Sequence, residues 1–292
     1  MFPETTRVPD LALTLASSEL GFNVHAGFLD ALTTEFGISP GYIGAVSSGS
    51  YVGGLYAAGV SAREIHTILS SNEMLKSVIE LKSPLRGMGM LFNKAGFTGL
   101  ISGRKFALYL KKHLGNRNIE DCENAELSLA VTNLTKGCPE IIKKGPLVDF
   151  IVASCSVPGL FKCQNIDGHE YCDGAVSDSS PFYHFLEDSS IRRIIVHTIR
   201  HDERHARNTS PSSIARVFGQ SHQIITDRIM DLSLECAKSR GKKVTVLTSI
   251  VPRFRWGKRG SHEILFEAGR KTVLDNINLL RDVIGLNFLT KS

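Results

Sequence analysis

Residues 42–50 read YIGAVSSGS, an apolar run that ends abruptly in serines. Ala45 and Gly49 stand two positions before and after Ser47. Such small residues are needed where a serine sits on a sharp turn between a strand and a helix, because a larger side chain would strike the neighbouring backbone. Residues 51–59 continue as a helix-like segment whose first N–H groups would face Ser47. The pattern favours a nucleophile elbow, and a serine in a Gly/Ser loop is the simpler alternative.

The residues before this stretch supply the context that an elbow requires. Residues 11–16 form a short apolar run that is typical of a buried strand. Apolar side chains then recur at helical spacing over residues 23–36, namely at Val24, Phe28, Leu29, Leu32 and Phe36. Asn23 is the expected N-cap of this helix and Gly37 its expected C′ residue. The order predicts a parallel βαβ unit with Ser47 at the carboxyl end of the second strand, where open α/β sheets place their sites.

A second informative segment lies about a hundred residues further along. Residues 152–161 read VASCSVPGLF, and two Asp-Gly pairs follow at Asp167-Gly168 and Asp173-Gly174. The first pair lies between strand-like residues 161–166 and 169–172, which predicts a hairpin turn. Taken alone, the second pair is compatible with another simple turn.

Together these segments resemble the patatin-like phospholipases. The resemblance runs from about Leu11 to about Val196. It is carried by the elbow with Ala45 and Gly49, by residues 57–59 (AAG), by the run 153–161 and by an acid motif, Asp173 with Gly174 and Ala175. It implies a three-layer α/β/α fold with a mainly parallel central sheet, and a lipid acyl hydrolase of phospholipase A or esterase type that needs no cofactor or metal.

The resemblance also implies a catalytic dyad. Ser47 would attack an ester carbonyl and carry the acyl group, and Asp173 would take the serine proton directly, without an intervening histidine. An aspartate serves better as a base when it is partly desolvated and its pKa is raised. Acyl transfer or thioester hydrolysis through the same acyl-serine is a second enzymatic reading.

The end of the first strand departs from the family pattern. Members usually carry a GGGxxRG stretch whose N–H groups form the oxyanion hole, whereas residues 16–22 of this chain read ASSELGF. The amides of Ser17, Ser18 and Glu19, with that of Ser48 behind the elbow, are the expected replacements. Losing one oxyanion donor costs about 10²–10³ in turnover. A catalytically weak or inactive patatin-like protein that binds lipid or a partner is therefore the alternative function.

Ten histidines permit a rival Ser-His-Asp triad. His197, His201 and His205 are the best-placed candidates, whereas His25 is expected to be a packed or capping residue. A typical α/β-hydrolase nucleophile follows several strands rather than the second one. The early position of Ser47 therefore favours the dyad by fold analogy.

Composition predicts one domain spanning residues 1–292. The chain has 292 residues of which 42% are apolar, enough for a large core. No apolar run reaches the ~20 residues of a membrane span, and the first residues lack the features of a signal peptide. The six cysteines form no CxxC pair, which favours reduced thiols over a zinc site. We expect a protein that is cytoplasmic or peripheral to a membrane, and the oligomeric state stays open.

Positive charge is concentrated near the end of the chain. Residues 236–262 contain eight basic residues and no acidic one, although the net charge is only +5. Arg253, Arg255 and Trp256 lie together there and predict a peripheral contact with an anionic membrane. A solvated loop with Trp256 in the core is the alternative. No nucleic-acid motif accompanies the charge, so a nucleic-acid partner is not expected.

Five further segments have recognisable patterns. Residues 74–98 contain methionines and phenylalanine around glycines, as in core filling or in a lid over the Ser47 pocket. Residues 106–114 read as an amphipathic helix. Residues 126–132, 191–198 and 242–247 read as buried strands.

Overall fold

A mixed, mainly parallel sheet carries the elbow. The computed structural model describes residues 6–18, 20–79, 98–201, 214–252 and 260–285. In this part of the chain the strands are β1 (Thr6–Leu15), β2 (Ile38–Val46), β3 (Gly99–Ile101), β4 (Glu126–Asn133), β5 (Cys138–Ile142), β6 (Gly159–Phe161), β7 (Gln164–Ile166), β8 (His169–Asp173), β9 (Arg193–His201) and β10 (Lys243–Val251).

The strand order explains why the sheet is mainly parallel. Eight strands follow the order β10-β9-β1-β2-β4-β8-β7, with β5 beside β4, and β3 and β6 form a separate pair. The pairs from β10 to β4 are parallel, whereas β4 with β8, β8 with β7 and β4 with β5 are antiparallel. Leu15 pairs with Ala45, so β1 and β2 end side by side. The carboxyl end of β2 therefore lies near the middle of the sheet.

Nine α-helices surround the sheet in the described residues. They are α1 (Phe22–Phe36), α2 (Ser48–Ala57), α3 (Ala62–Leu69), α4 (Asn72–Val78), α5 (Arg104–Leu114), α6 (Leu147–Ser154), α7 (Ile214–Ser239), α8 (Ser261–Asp275) and α9 (Ile277–Ile284). Short 3₁₀ helices cover Ile119–Asp121, Gly174–Val176 and Tyr183–Leu186. The strands and helices predicted from the sequence are thereby confirmed, with boundaries that shift by a few residues.

Two apolar cores lie on opposite faces of the sheet, because side chains alternate along a strand. Leu11, Leu13 and Leu15 of β1 pack in one core with α1, α2 and α6. Ala12, between the first two leucines, packs in the other core with the 3₁₀ helix Tyr183–Leu186 and with α7. The predicted three-layer α/β/α fold is confirmed.

One end of α1 agrees with the sequence prediction and the other does not. Gly37 ends the helix with φ 63°, as its C′ role requires. The N-cap is Gly21 rather than Asn23. Asn23 is buried inside the first turn, where its Oδ1 accepts a hydrogen bond from His66 Nδ1 at 2.7 Å. The side chain predicted to cap the helix therefore makes a tertiary contact with His66 instead.

The structure describes the predicted hairpin turn and the cysteines, whereas two other segments singled out in the sequence lie largely or wholly outside the described residues. Asp167 and Gly168 both have positive φ, 50° and 81°, in the predicted hairpin between β7 and β8. All six cysteines are free. Most of the residue 74–98 segment, and Arg253, Arg255 and Trp256, lie outside the described residues. No helix in the described ranges is long and apolar enough to cross a membrane.

Candidate active site

Ser47 occupies a strained turn between β2 and α2. It is the N-cap of α2 and has φ 53° and ψ −122°, a region that costs a non-glycine residue about 1–3 kcal/mol. The turn brings the first residues of α2 against the end of β1. A Cβ on Gly49 would lie 2.1 Å from the Leu15 carbonyl oxygen, so only glycine fits there. The small residue that the sequence placed after the serine is thus required by close backbone approach.

Asp173 meets Ser47 across the sheet. The Ser47 hydroxyl donates to Asp173 Oδ2 at 2.7 Å, although the two residues are 126 positions apart. Strand β4 lies between β2 and β8 and pairs with both. Asp173 ends β8, so the fold brings the strand ends of the elbow and the acid motif to one place.

The acid motif fixes the carboxylate. Asp173 Oδ1 accepts the Ala175 N–H at 2.8 Å, and the Asp173 carbonyl accepts the Thr132 hydroxyl at 2.9 Å. A Cβ on Gly174 would lie 2.2 Å from the Ala130 carbonyl oxygen. Both carboxylate oxygens are therefore engaged, and glycine at position 174 lets the turn pack on β4.

Burial dominates the electrostatics of Asp173. The residue is 2% exposed. Desolvation raises the pKa of Asp173 from its ordinary 3.8 to about 7, against the opposing hydrogen bonds from Ser47 and Ala175. A carboxyl group with this pKa is partly ionised near neutral pH and can exchange a proton with a hydroxyl in contact with it.

Three consecutive residues at the C-terminal end of α6, beginning with its last residue, together contact the backbone of Ser47 and of Asp173. Ser154 Oγ accepts the Ser47 N–H at 3.0 Å. The Cys155 thiol donates to the Ser47 carbonyl at 3.0 Å, and the Ser156 carbonyl accepts the Asp173 N–H at 2.9 Å. The sequence marks this run only as the loop before the acid motif. Nothing in its residue types indicates that it contacts the elbow.

Two of the amides expected to form the oxyanion hole, those of Ser17 and Ser18, are already hydrogen-bonded. The Ser17 N–H donates to the Ser179 carbonyl at 2.8 Å, and the Ser18 N–H donates to Ser48 Oγ at 3.0 Å. The hydroxyls of Ser18 and Ser48 lie 2.9 Å apart, and Glu19 lies outside the described residues. An oxyanion hole built from the Ser17 and Ser18 amides would require both bonds to break.

His197, one of the triad candidates, and its neighbour His25 have partners other than Ser47 and Asp173. His197 is fully buried, and its ring lies 2.8 Å from His25 Nδ1 and 2.9 Å from Ser249 Oγ. His25 Nε2 lies 2.8 Å from the Ala16 carbonyl. Burial lowers the pKa of His25 to about 4 and keeps both rings neutral. His201 lies at the end of β9, and His205 is outside the described residues.

The donor and acceptor of each hydrogen bond made by His25 and His197 can be assigned. A carbonyl only accepts, so His25 Nε2 carries that ring's proton, and its Nδ1 accepts from His197 Nδ1. The remaining His197 nitrogen, Nε2, then accepts from Ser249. The two histidines thus hold the end of β1 through the hydrogen bond from His25 to the Ala16 carbonyl. Ser47 and Asp173 are in direct contact, with no histidine between them.

No metal centre accompanies Ser47 and Asp173 within the described ranges. They contain no group of three or more His, Cys, Asp or Glu side chains that could hold an ion. The groups that the structure brings together at the site are the Ser47 hydroxyl and the desolvated Asp173 carboxyl group.

Comparison with known proteins adds a family to this geometry. A family model described as "Patatin-like phospholipase" matches residues 21–186, more than half of the chain. Lysophospholipase NTE1 of Cryptococcus neoformans is 30% identical over 177 residues. An NTE family protein of Mycobacterium bovis is 27% identical over 173 residues, and mouse patatin-like phospholipase domain-containing protein 6 is 26% identical over 178.

These alignments are partial. Each covers 59% of this chain but only 10%, 44% and 12% of the three relatives, respectively. Among solved structures, VipD from Legionella pneumophila aligns with a TM-score of 0.55 at 12% identity, covering 93% of this chain and 67% of that one. At this identity the likeness concerns the fold alone.

Proposed function

Because the chain belongs to the patatin-like phospholipase family, we propose that it is a serine hydrolase that cleaves lipid acyl esters through Ser47 and Asp173. The observation that carries the proposal is the 2.7 Å hydrogen bond from the Ser47 hydroxyl, on its strained turn, to the buried Asp173 carboxylate. A hydroxyl is a poor nucleophile at neutral pH unless an adjacent base accepts its proton.

The proposed reaction has two halves. Ser47 Oγ attacks the ester carbonyl carbon while its proton passes to Asp173 Oδ2. The tetrahedral intermediate collapses, and the alcohol leaves with that proton, so the acyl group stays on Ser47. Water then attacks the acyl-serine with Asp173 again as the base, which releases the fatty acid and restores the hydroxyl.

The oxyanion donors are proposed to include a hydroxyl as well as an amide. The Ser48 N–H belongs to the first turn of α2 and has no acceptor within the helix. Ser18 Oγ accepts the Gly21 N–H at 3.1 Å and Ser48 Oγ accepts the Ser18 N–H. One of these two hydroxyls donates to the other, so one hydroxyl proton is left for an oxyanion. Ser18 is half-buried and is the better placed of the two to present it.

The names of the relatives support a substrate class to test. Two of them carry "lysophospholipase" or "phospholipase" in their names, and we propose a lysophospholipid as the substrate to test first. Contact with an anionic membrane through Arg253, Arg255 and Trp256 stays part of the proposal. Such a surface would bring the site to its lipid.

A patatin-like protein that binds lipid or a partner with little or no turnover is the second candidate. It is favoured by the engaged Ser17 and Ser18 amides, since an oxyanion hole needs donors that are free when charge develops.

One experiment separates these functions. The wild-type chain, Ser47→Ala and Asp173→Asn are assayed on lysophosphatidylcholine and on a short-chain nitrophenyl ester. Ser128→Ala serves as the control, because that buried hydroxyl bonds to the Ile43 carbonyl at 3.2 Å and to His184, away from the dyad. Turnover in the wild type and control, lost in both dyad variants, supports the hydrolase. Lipid binding without turnover in the wild type supports the second candidate.

A further inference from the structure

We propose that Ser154, Cys155 and Ser156 form a clamp that sets the distance between the two dyad residues, with Ser154 as its main positioning residue. The inference rests on the proposed function, because it concerns how Ser47 and Asp173 are held for the reaction. These three consecutive residues, named here the dyad clamp, contact Ser47 on one side and Asp173 on the other.

The hydrogen bonds of Ser154 have only one consistent arrangement. Its side chain is fully buried. The Ala130 carbonyl, 2.7 Å from Ser154 Oγ, can only accept, so the hydroxyl proton of Ser154 is donated there. Ser154 Oγ then accepts the Ser47 N–H and the Ser50 hydroxyl, which lies 2.7 Å away. One hydroxyl thereby ties the elbow and the first turn of α2 to strand β4.

The Ser47 N–H needs this partner. Ser47 is an N-cap, so its amide has no acceptor inside α2. Its φ of 53° is also a conformation that persists only where the surroundings hold it. Ser154 supplies the acceptor, and the Cys155 thiol holds the carbonyl of the same residue. Both backbone groups of Ser47 are therefore fixed by adjacent residues of the dyad clamp.

The other side of the clamp fixes the base. The Ser156 carbonyl accepts the Asp173 N–H, and Ser154 donates to the Ala130 carbonyl on which the Asp173-Gly174 turn packs. Helix α6 ends at Ser154 and continues its hydrogen bonding to Cys155, whose N–H reaches the Ile151 carbonyl at 3.0 Å. Because one short, ordered segment holds both residues, a displacement of the segment moves them together and preserves the contact between Ser47 Oγ and Asp173 Oδ2.

The test compares Ser154→Ala with Ser128→Ala. The Ser128 hydroxyl is likewise buried and makes two hydrogen bonds, but it does not contact the dyad. A misplacement of about 1 Å can cost about 100-fold in rate. We expect Ser154→Ala to lower kcat by about 10- to 100-fold with KM nearly unchanged, and the control to keep most of its kcat at a similar melting temperature.

A pH profile adds a readout that lost stability alone does not move. The hydrogen bond from Ser47 lowers the pKa of Asp173. If the clamp holds that bond, the midpoint of kcat/KM against pH rises in Ser154→Ala and not in Ser128→Ala. Ser154→Ala with an unchanged midpoint and a kcat like that of the control overturns the clamp. An inactive wild type, or activity retained in Ser47→Ala, instead contradicts the proposed function and the clamp with it.

Discussion

Replacing Asp173 by asparagine should make the protein more stable at pH 8 while removing its activity. Asparagine keeps nearly the same shape and one acceptor oxygen but never carries charge. The wild-type carboxyl group, by contrast, must ionise inside a dry site as the pH rises. The variant therefore removes the free-energy cost of the buried charge while leaving the shape of the side chain nearly unchanged.

The magnitude follows from the pKa of Asp173, which burial raises from 3.8 to about 7. Since the folded state binds this proton more tightly than the unfolded state, the contribution of Asp173 to stability falls as the pH rises from about 4 to about 7. A shift of about 3 pKa units corresponds to about 4 kcal/mol. We expect the free energy of unfolding of Asp173→Asn, relative to wild type, to increase by up to about 4 kcal/mol between pH 4 and pH 8.

Urea unfolding at pH 4, 6 and 8 measures this difference, provided that both proteins show the same dependence on urea. Other titrating groups are common to both chains and cancel. Asp188→Asn is the control, because hydrogen bonds from Ser190 lower the pKa of Asp188 below its ordinary 3.8, so its free energy of unfolding relative to wild type should stay nearly constant from pH 4 to pH 8. A stability gap for Asp173→Asn that stays constant or narrows from pH 4 to pH 8 would refute the account of a desolvated base.

Three further predictions concern pH and the oxyanion site. First, kcat/KM should fall as the pH drops through about 7, because Asp173 must be ionised to accept the proton; a profile flat from pH 5 to 9 would contradict this. Second, the lowered pKa of His25, about 4, should remove stability as the pH falls from about 6.5 to 4, by about 3 kcal/mol, because the unfolded state then binds the proton more tightly. His25→Gln, measured by urea unfolding, should lack this loss, and an identical pH dependence in the variant would exclude it. Third, Ser18→Ala should lower turnover about 10-fold or more without changing KM, because a donor used only in the transition state is lost. Equal or higher kcat in Ser18→Ala would remove that hydroxyl from the oxyanion site.

The sequence predicted the fold well where the signal was local. Gly49 marked the elbow because the close approach to Leu15 excludes any side chain, and Gly37 and the Asp167-Gly168 pair marked turns that need positive φ. Alternating and helical periodicity located the strands and helices that form the two cores. The juxtaposition of Ser47 with Asp173 came from the family resemblance, since no local pattern links residues 126 positions apart.

The remaining features depend on tertiary contacts that residue types do not encode. Asn23 looked like a cap, but a buried position beside His66 takes its side chain. His197 is a triad candidate by its position in the sequence, but it is buried against His25. The Ser17 and Ser18 amides are hydrogen-bonded, and Ser154 contacts the elbow, only because the fold brings four separate segments of the chain together.

Covalent labelling with a fluorophosphonate probe, followed by mass spectrometry of the labelled peptide, asks directly whether Ser47 is the nucleophile. We expect one adduct per wild-type chain, on Ser47. We also expect no adduct in Ser47→Ala, slow labelling in Asp173→Asn, and labelling of Ser128→Ala at the wild-type rate. Labelling of another serine, or of Ser47→Ala at the wild-type rate, would contradict the assignment of Ser47 as the nucleophile that Asp173 activates.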